Sequence, residues 1–587
     1  MGTWLQDVKF GLRVLAKNPG FAIVAVLTLA LGIGANTAIF SVVDAVLLKP
    51  LPYAQPNHLV KVWGTFTGIG LPDDRNWISA PEFQDLQTQN KCFSHISAIN
   101  AGGFNLLING TPQRILGAYV SPDFFPMLGV QPRVGRYFLP EEAKPGHERE
   151  ILLSYGLWKR GFGGEESVVG KQLVMNDQSY TVVGVMPSSF NFPDFAEAWV
   201  PLAFEPSDLS PNNRGNHGME VLARVKPELT LAQAREDMKA VTKAVEDQNP
   251  GYPYARFNFE FTLTPLLQEM VSDIQKALWI LTAAVGLVLL IACANVANLL
   301  LARASSRDRE IAIRMAIGAS KRRVVGQLLT ESVLLAIVGG AGGLLLAYWG
   351  LQALINLSST IFPRVAEASI NSTVLVFTVL ISAVTGIIFG LAPAIQCARG
   401  THYESLKEGG RGTTPGAVHQ RLRHAFVILE LAMSLMLLQG AGLLFKSFVR
   451  LQEVDGGFRP DHVLTMRISL PQTKYSKPEQ VRAFFTSLLE RVSALPGVDK
   501  AGAIDALPLS GSGSSGTTTI DTTEVPPDQR TPEADRRVVT PGFFEAMGVD
   551  LVSGRYFQAS DNENAPSVAI VDETLANTYW PHEDAIG

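Results

Sequence analysis

The sequence predicts a multi-pass α-helical membrane protein with α+β extracytoplasmic domains, built by internal duplication of a spanning helix plus an outer domain. Three observations carry this expectation. Five apolar runs are long enough to cross a bilayer, stretches of ordinary mixed composition follow the first and the fifth of them, and a motif of the first stretch returns in the second. A spanning helix needs about 20 apolar residues, because its backbone must satisfy itself inside hydrocarbon. Composition agrees: of 587 residues 47% are hydrophobic and only 18% charged, against about 25% charged in soluble domains. A net charge of -5 over the whole chain leaves no electrostatic footprint for nucleic acid. Cys92, Cys293 and Cys397 are too few and too scattered for a disulfide framework or a cysteine zinc site.

Residues 1–19 read as an amphipathic helix on the inner leaflet. Trp4, Leu5, Val8, Leu12 and Leu15 recur at helical spacing, and Lys9, Arg13 and Lys17 line another face. Residues 20–48 hold the first spanning helix, with no charge from 21 to 43; a cleaved signal peptide is the alternative, against which stand the length of the run and the structured segment before it. Residues 49–276 form an outer α+β domain. Its runs 150–153, 180–185 and 221–225 are rich in β-branched residues, and 231–247 reads as an amphipathic helix. Cys92 stands alone there, so no disulfide forms within it. The second spanning helix is placed at 277–302, a cytoplasmic coupling loop at 303–323, and the third and fourth helices within 324–398. A cytoplasmic linker at 399–424 precedes a fifth helix at 425–445, interrupted once by Glu430, and residues 446–587 form a second, incomplete outer domain.

Lysine and arginine set the orientation, since cytoplasmic flanks carry the excess. Lys9, Arg13 and Lys17 precede the first helix, Arg303, Arg307, Arg309, Arg314, Lys321, Arg322 and Arg323 lie between the second and third, and Arg399, Lys407, Arg411, Arg421 and Arg423 precede the fifth. All fall on one side if the N-terminus is cytoplasmic.

The duplication rests on two passages. Val120-Ser-Pro-Asp-Phe-Phe-Pro-Met-Leu-Gly-Val130 leads to Gly135-Arg-Tyr-Phe138, and Val539-Thr-Pro-Gly-Phe-Phe-Glu-Ala-Met-Gly-Val549 leads to Gly554-Arg-Tyr-Phe557 at the same spacing. A unit repeated this closely predicts further spans beyond Gly587, and the chain is expected to be a fragment or a truncated product. Residues 510–537, rich in Gly, Ser, Thr and Pro, read as a mobile insert.

Chemistry is absent from the pattern. The nearest approach to a phosphate-binding loop, Gly164 to Lys171, has Gln172 where Ser or Thr is needed and a leading Gly one place too far upstream. The His are dispersed, and metalloprotease and nucleophile-elbow motifs are missing. No catalytic, cofactor-binding or metal site is expected. Glu331 and Glu430 fall inside spans near the inner interface, where a packing role is favoured over a proton relay. Gly339 and Gly343, and likewise Gly386 and Gly390, stand four apart, which lets helices approach closely. Whether their partner is intramolecular or a second subunit stays open.

The 303–323 loop carries a mechanism. Glu310 stands four before Arg314 for an ion pair, while Ile311 and Met315 share another face. A short helix with an apolar stripe wants either a protein partner or lipid, and the pattern alone favours neither.

Resemblance tips that balance. Arg309-Glu-Ile-Ala-Ile-Arg-Met-Ala-Ile-Gly-Ala319, Leu328-Leu-Thr-Glu-Ser332 and the Gly-rich third span resemble the signature of FtsX-like permeases. Asp7-Val-Lys-Phe-Gly-Leu-Arg13 and Leu29-Ala-Leu-Gly-Ile-Gly-Ala-Asn-Thr-Ala-Ile-Phe40 resemble MacB-type permease subunits, in the duplicated form called acidobacterial duplicated orphan permeases. The resemblance implies an ABC transporter permease of the bacterial inner membrane, with large periplasmic domains that move when ATP is hydrolysed inside. It implies an ABC ATPase partner gripping Arg309, Glu310, Ile311, Arg314 and Met315, with membrane lipid and a periplasmic adaptor or second permease copy as further partners. Two departures stand out: MacB fuses its ATPase to the permease and this chain has none, and the second membrane half is cut short. The expected function is export or efflux, with ATP used by the partner; the alternative is a non-transporting regulator that activates a periplasmic cell-wall enzyme.

Overall fold

The computed structural model describes residues 9–13, 15–68, 75–108, 110–316, 320–358, 364–399, 417–471, 474–510, 514–517 and 533–586. At 304–316, 321, 358, 392–399, 417–420, 422, 514–517 and 533 it describes the backbone alone. The chain divides into a helical unit, Met1–Leu51 with Leu267–Glu453, and a sheet unit, Pro52–Leu266 with Val454–Gly587.

Among the described residues of the helical unit five helices are long and apolar enough to cross a membrane: Pro19–Leu48, Leu266–Arg303, Arg322–Leu357, Ser372–Leu391 and Arg423–Gln452. These are the five expected runs. The first starts with Pro19 at its opening position, where the missing N–H costs nothing, and ends in a π-helical turn, Asp44–Leu48. The second helix departs from expectation at both ends, running unbroken from Leu266 to Ala316. The outer domain was expected to reach residue 276, yet the stretch 266–276, of mixed polar and apolar residues, is already helical. An apolar count marks where hydrocarbon begins, not where the helix does.

The first four helices share a core of Leu29, Ile33, Val296, Ala297, Leu335, Ala336 and Phe389. A second cluster, Val42, Val46, Val271, Leu351 and Val365, gathers around the π-helical turn. Polar contacts cross between helices: the Thr37 and Thr378 hydroxyls lie 3.2 Å apart, and Asn36 Nδ2 donates to the Val285 carbonyl at 2.8 Å. The fifth helix turns Ile428, Leu438 and Leu451 outward, as suits a helix solvated by lipid. Of the expected N-terminal helix, Trp4, Leu5 and Val8 lie outside the described residues. Lys9, Arg13 and Lys17 are exposed, Leu15 packs on the helical core, and Leu12 is exposed rather than buried.

The first part of the sheet unit, Pro52–Leu266, is built around an 11-stranded sheet. Its strands are β1 (Leu59–Phe66), β2 (Arg75–Asn76), β3 (Phe93–Ile108), β4 (Thr111–Val120), β5 (Val134–Gly135), β6 (Glu150–Leu153), β7 (Gln172–Met175), β8 (Gln178–Val185), β9 (Ala198–Pro201), β10 (Glu220–Val225) and β11 (Phe259–Pro265). They run in the order β11-β1-β10-β3-β4-β9-β6-β8-β5, with β2 beside β1 and β7 beside β3 and β8. The expected strands are β6 and the bulk of β8 and β10. The 16-residue β3 serves two cores. Its first half packs with Val62, Phe83, Val221 and Met238, and its second half with Ile115, Leu153, Trp158 and Val182.

The helix expected at 231–247 is Leu231–Gln248. A capping box opens it, Gln233 N donating to Thr230 Oγ1 and Thr230 N to Gln233 Oε1. Ala234, Met238, Val241 and Val245 bury its inner face. The same helix screens the edge of β11: Arg235 donates to the Leu263 carbonyl and Phe261 N donates to Thr242 Oγ1. A bare edge would invite pairing with another chain.

The second part of this unit holds helices Pro478–Ser493, Phe543–Met547 and Glu573–Tyr579. Of residues 510–537, expected as a mobile insert, Ser514–Thr517 pairs antiparallel with Glu533–Arg536, while 511–513 and 518–532 lie outside the described residues. Small polar residues carry no alternating apolar signal by which this ribbon could be read.

Candidate coupling site

No Gly or Pro interrupts residues 302–316, and helix formers fill them. They therefore continue the second spanning helix instead of forming the separate short helix expected. From Arg303, where the apolar window ends, to Ala316 the helix extends about 20 Å at about 1.5 Å per residue. Arg309, Glu310, Ile311, Arg314 and Met315 all lie on this extension; their side chains are outside the described residues. At its root the Arg303 guanidinium sits 4.7 Å from the centre of the Phe21 ring, a cation–π contact to the start of the first span.

The four glycines occupy helix crossings. A Cβ on Gly339 would lie 2.6 Å from Leu29 Cβ, and one on Gly343 would lie 2.9 Å from Gly34 N and 3.0 Å from Ala30 O. The third helix therefore meets the first backbone to backbone. Gly386 faces Val333 and Ala336, and Gly390 faces Ser332, bringing the fourth helix onto the third. Glu331 is buried, accepts from Gln327 Nε2 at 3.2 Å, and packs against Gly11 of the N-terminal helix. Glu430 is half-buried.

At the other end of the first span, Arg364 clamps the π-helical turn and the Lys49–Pro50 segment beyond it. Its Nη1 donates to the carbonyls of Lys49 at 3.1 Å and Val46 at 3.5 Å, and its Nη2 to that of Pro50 at 3.3 Å. Glu367 pairs with the same guanidinium at 3.2 Å. Arg364 adopts a left-handed backbone, φ 61°, costing about 1 kcal/mol or more in a non-glycine residue. Nearby Asn371 Nδ2 donates to Asp44 Oδ2 at 2.7 Å, and Asn371 Oδ1 caps Val374 N. The span's exit is thus fastened to the segment leading into the fourth helix.

The sheet unit contains a dense titratable cluster. Glu82, fully buried, receives Ser79 N at 3.0 Å and the Tyr254 hydroxyl at 3.0 Å, and pairs with His217 at 3.3 Å. Arg214 donates to Asp85 at 2.8 Å and Tyr254 at 3.1 Å. Burial raises the Glu82 pKa, but His217 and the hydrogen bonds from Ser79 and Tyr254 outweigh it, holding the carboxyl below the ordinary glutamate range. Burial and the Glu82 charge push the Tyr252 hydroxyl up to about 12. Largely shielded from solvent, the cluster fastens three distant segments together through these contacts. No spacing in the chain announces it, because its members are far apart in residue order.

The duplicated motif is built twice to the level of single hydrogen bonds. Arg136 makes a two-pronged pair with Glu142 and donates to the Tyr137 carbonyl; Arg555 does the same with Asp561 and the Tyr556 carbonyl. The Tyr137 hydroxyl donates to Val130 O at 2.8 Å and that of Tyr556 to Val549 O at 2.7 Å. Phe125 stacks on Tyr137, and Phe544 on Tyr556, each pair with centroids 6.2 Å apart. Arg555 holds Asp561 well below the usual carboxylate range, at about 2.

Two family models match the chain. The family model described as MacB-like periplasmic core domain matches residues 22–241 and again 432–587. The FtsX-like permease C-terminal model matches 282–401. The macrolide export ATP-binding/permease protein MacB of Escherichia coli K12 is 27% identical over 399 residues, covering 66% of this chain and 58% of that protein. The protein of the same name from Shigella flexneri gives the same figures. The chain thus spans less than two thirds of the length of these relatives. Among solved structures, a domain of a permease protein from Porphyromonas gingivalis is 18% identical, covering 36% of this chain and 93% of that one at TM-score 0.29. The periplasmic region of MacB from Actinobacillus actinomycetemcomitans is 12% identical, covering 38% and 94% at TM-score 0.27.

Proposed function

The chain belongs to the family with a MacB-like periplasmic core domain and an FtsX-like permease region, and on that premise we propose that it is the membrane subunit of an ABC-type exporter driven by a separate ATPase. Its N-terminus lies in the cytoplasm, and the extension of the second spanning helix is the lever that the ATPase grips. The observation that carries this reading is the unbroken helix Leu266–Ala316. A loop would absorb a displacement applied at Arg309 or Arg314, whereas one helix passes it on to Leu266, which follows the last residue of β11, Pro265, without an intervening residue. Export of a hydrophobic or peptide-like substrate is proposed from likeness to relatives named for macrolide export.

Purification of the full chain in detergent is expected to recover an ATP-hydrolysing subunit. Charge reversal at Arg309 and Arg314 together should weaken binding about a hundredfold or more, since each lost close charge pair at an interface costs about 1.5 kcal/mol or more. Unchanged recovery would rule out the docking role. Substrate flux in vesicles separates an exporter from a regulator, which would activate a periplasmic enzyme without flux.

A further inference from the structure

The first span reaches the sheet unit through a linker that carries no regular structure of its own beyond a single turn at Pro56–His58. The second tether is different in kind: β11 ends at Pro265 and the next helix begins at Leu266. If the linker were slack, displacement of the first span would be lost before it reached the sheet. Its attachment therefore decides whether one tether or two deliver movement.

That attachment is made on the short helix Phe124–Leu128, which carries the duplicated Phe-Phe pair. Ala54 N donates to the Leu128 carbonyl at 3.0 Å. The helix ends on Gly129 in a left-handed conformation, φ 70°, and a Cβ there would lie only 2.6 Å from Ala54 Cβ, so the glycine is needed both for its backbone and for the linker's close approach. Arg224 of β10 closes the joint from the third side. Its Nε donates to the Met127 carbonyl at 2.9 Å, its Nη2 reaches the same oxygen, and its Nη1 donates to the Gln55 carbonyl at 3.2 Å. One planar fork thus bridges the linker and the C-terminus of the helix, where a cation is favoured.

The second copy repeats the backbone part of the joint, the linker N–H on the helix's last carbonyl and the left-handed glycine after it, whereas the Arg224 fork belongs to the first copy. Arg459 N donates to the Met547 carbonyl at 2.8 Å, the helix Phe543–Met547 ends on left-handed Gly548, and a Cβ there would lie 3.2 Å from Arg459 Cβ. A packing accident would not recur with the same donor, the same terminal carbonyl and the same left-handed glycine.

We propose that this joint is the coupling point by which the first span drives the first outer module, and that Arg224 is its positioning residue, locking the Ala54–Gln55 linker to the Phe-Phe helix so that the two move as one body. The proposal rests on the coupling function stated above. Lysine in place of Arg224 keeps the charge but offers a point donor that reaches one carbonyl at a time, so it loosens the bridge without removing the side chain.

The test uses the full chain reconstituted in lipid nanodiscs with the ATPase that co-purifies with it, spin labels at the exposed Glu236 and Glu490, and pulsed electron resonance with and without ATP. Wild type is expected to show a nucleotide-dependent change in label distance. Arg224→Lys should lose most of that change while retaining ATP hydrolysis and thermal midpoint. Gly129→Ala should lose it through an independent residue, and Ala54→Gly in the same chain should restore part of it by making room for the new methyl group. Full retention of the distance change in both single variants overturns the proposal, as does loss accompanied by equal loss of ATPase binding, which marks a folding defect. No distance change in wild type overturns the coupling function itself and takes the joint with it.

Discussion

Replacing Glu82 by alanine is expected to destabilise the first outer module by about 3 kcal/mol or more, because each buried donor left without its acceptor costs about 1–3 kcal/mol. The carboxylate is the shared acceptor for Ser79 N, the Tyr254 hydroxyl and His217, so its removal strands three donors in a site largely shielded from water. For a folding unit of this size the thermal midpoint of that transition should fall by about 10 °C, read by calorimetry on the purified full chain. Glu82→Gln, which keeps an acceptor but not the charge, should cost less. The same residue sets an acid limit. Its folded pKa lies below the unfolded one, so its contribution is complete above the unfolded value of about 4.3 and is lost as pH falls through the folded value. The glutamine variant should lose that acid-dependent part of the stability curve. A midpoint unchanged in both variants would mean that the cluster holds nothing together.

Gly343→Val is expected to separate the first and third spanning helices. The new Cβ would lie 2.9 Å from Gly34 N and 3.0 Å from Ala30 O; these are backbone atoms, which cannot swing aside as a side chain can. Overpacking of this kind costs about 1–3 kcal/mol. Gly350 provides the contrast, since nothing lies within 4 Å of a Cβ built there, and Gly350→Val should be neutral. The readout is a cysteine pair at Ala30 and Gly342, whose Cβ positions are 3.3 Å apart, near disulfide range. Oxidation should cross-link the pair in the parent and the Gly350 variant and fail in the Gly343 variant. Efficient cross-linking in the last would show that the helices do not depend on this approach.

What residue order conveys here depends on physical range. All five spanning helices were readable because hydrocarbon demands one property over some twenty consecutive residues. β6 and β8 were readable from short runs of apolar and β-branched residues, and the helix Leu231–Gln248 because burial on one face imposes a period on neighbours. The motif around Phe124 and Phe543 was readable because duplication copies a pattern whole. The clamps were not. Arg224 meets Gln55 and Met127, and Arg364 meets Val46, Lys49 and Pro50, across separations that no local pattern encodes, and both guanidinium groups bind backbone carbonyls, which every residue possesses. The continuity of the second helix past Arg303 was hidden for another reason: its charged residues look like a loop to a hydropathy count, although nothing among them breaks a helix. The same blindness put the end of the outer domain at residue 276 instead of Leu266.

The coupling function requires the inner end of the second helix to face the cytoplasm. A single cysteine at the exposed Ser320, in a chain whose Cys397 is replaced, can be probed with a membrane-impermeant maleimide in spheroplasts and in inverted vesicles. Cys92 and Cys293 are buried and, without detergent, should stay silent. The introduced cysteine should be labelled in inverted vesicles and not in spheroplasts. Labelling in intact spheroplasts would place the lever on the wrong side of the membrane and contradict the function proposed for it.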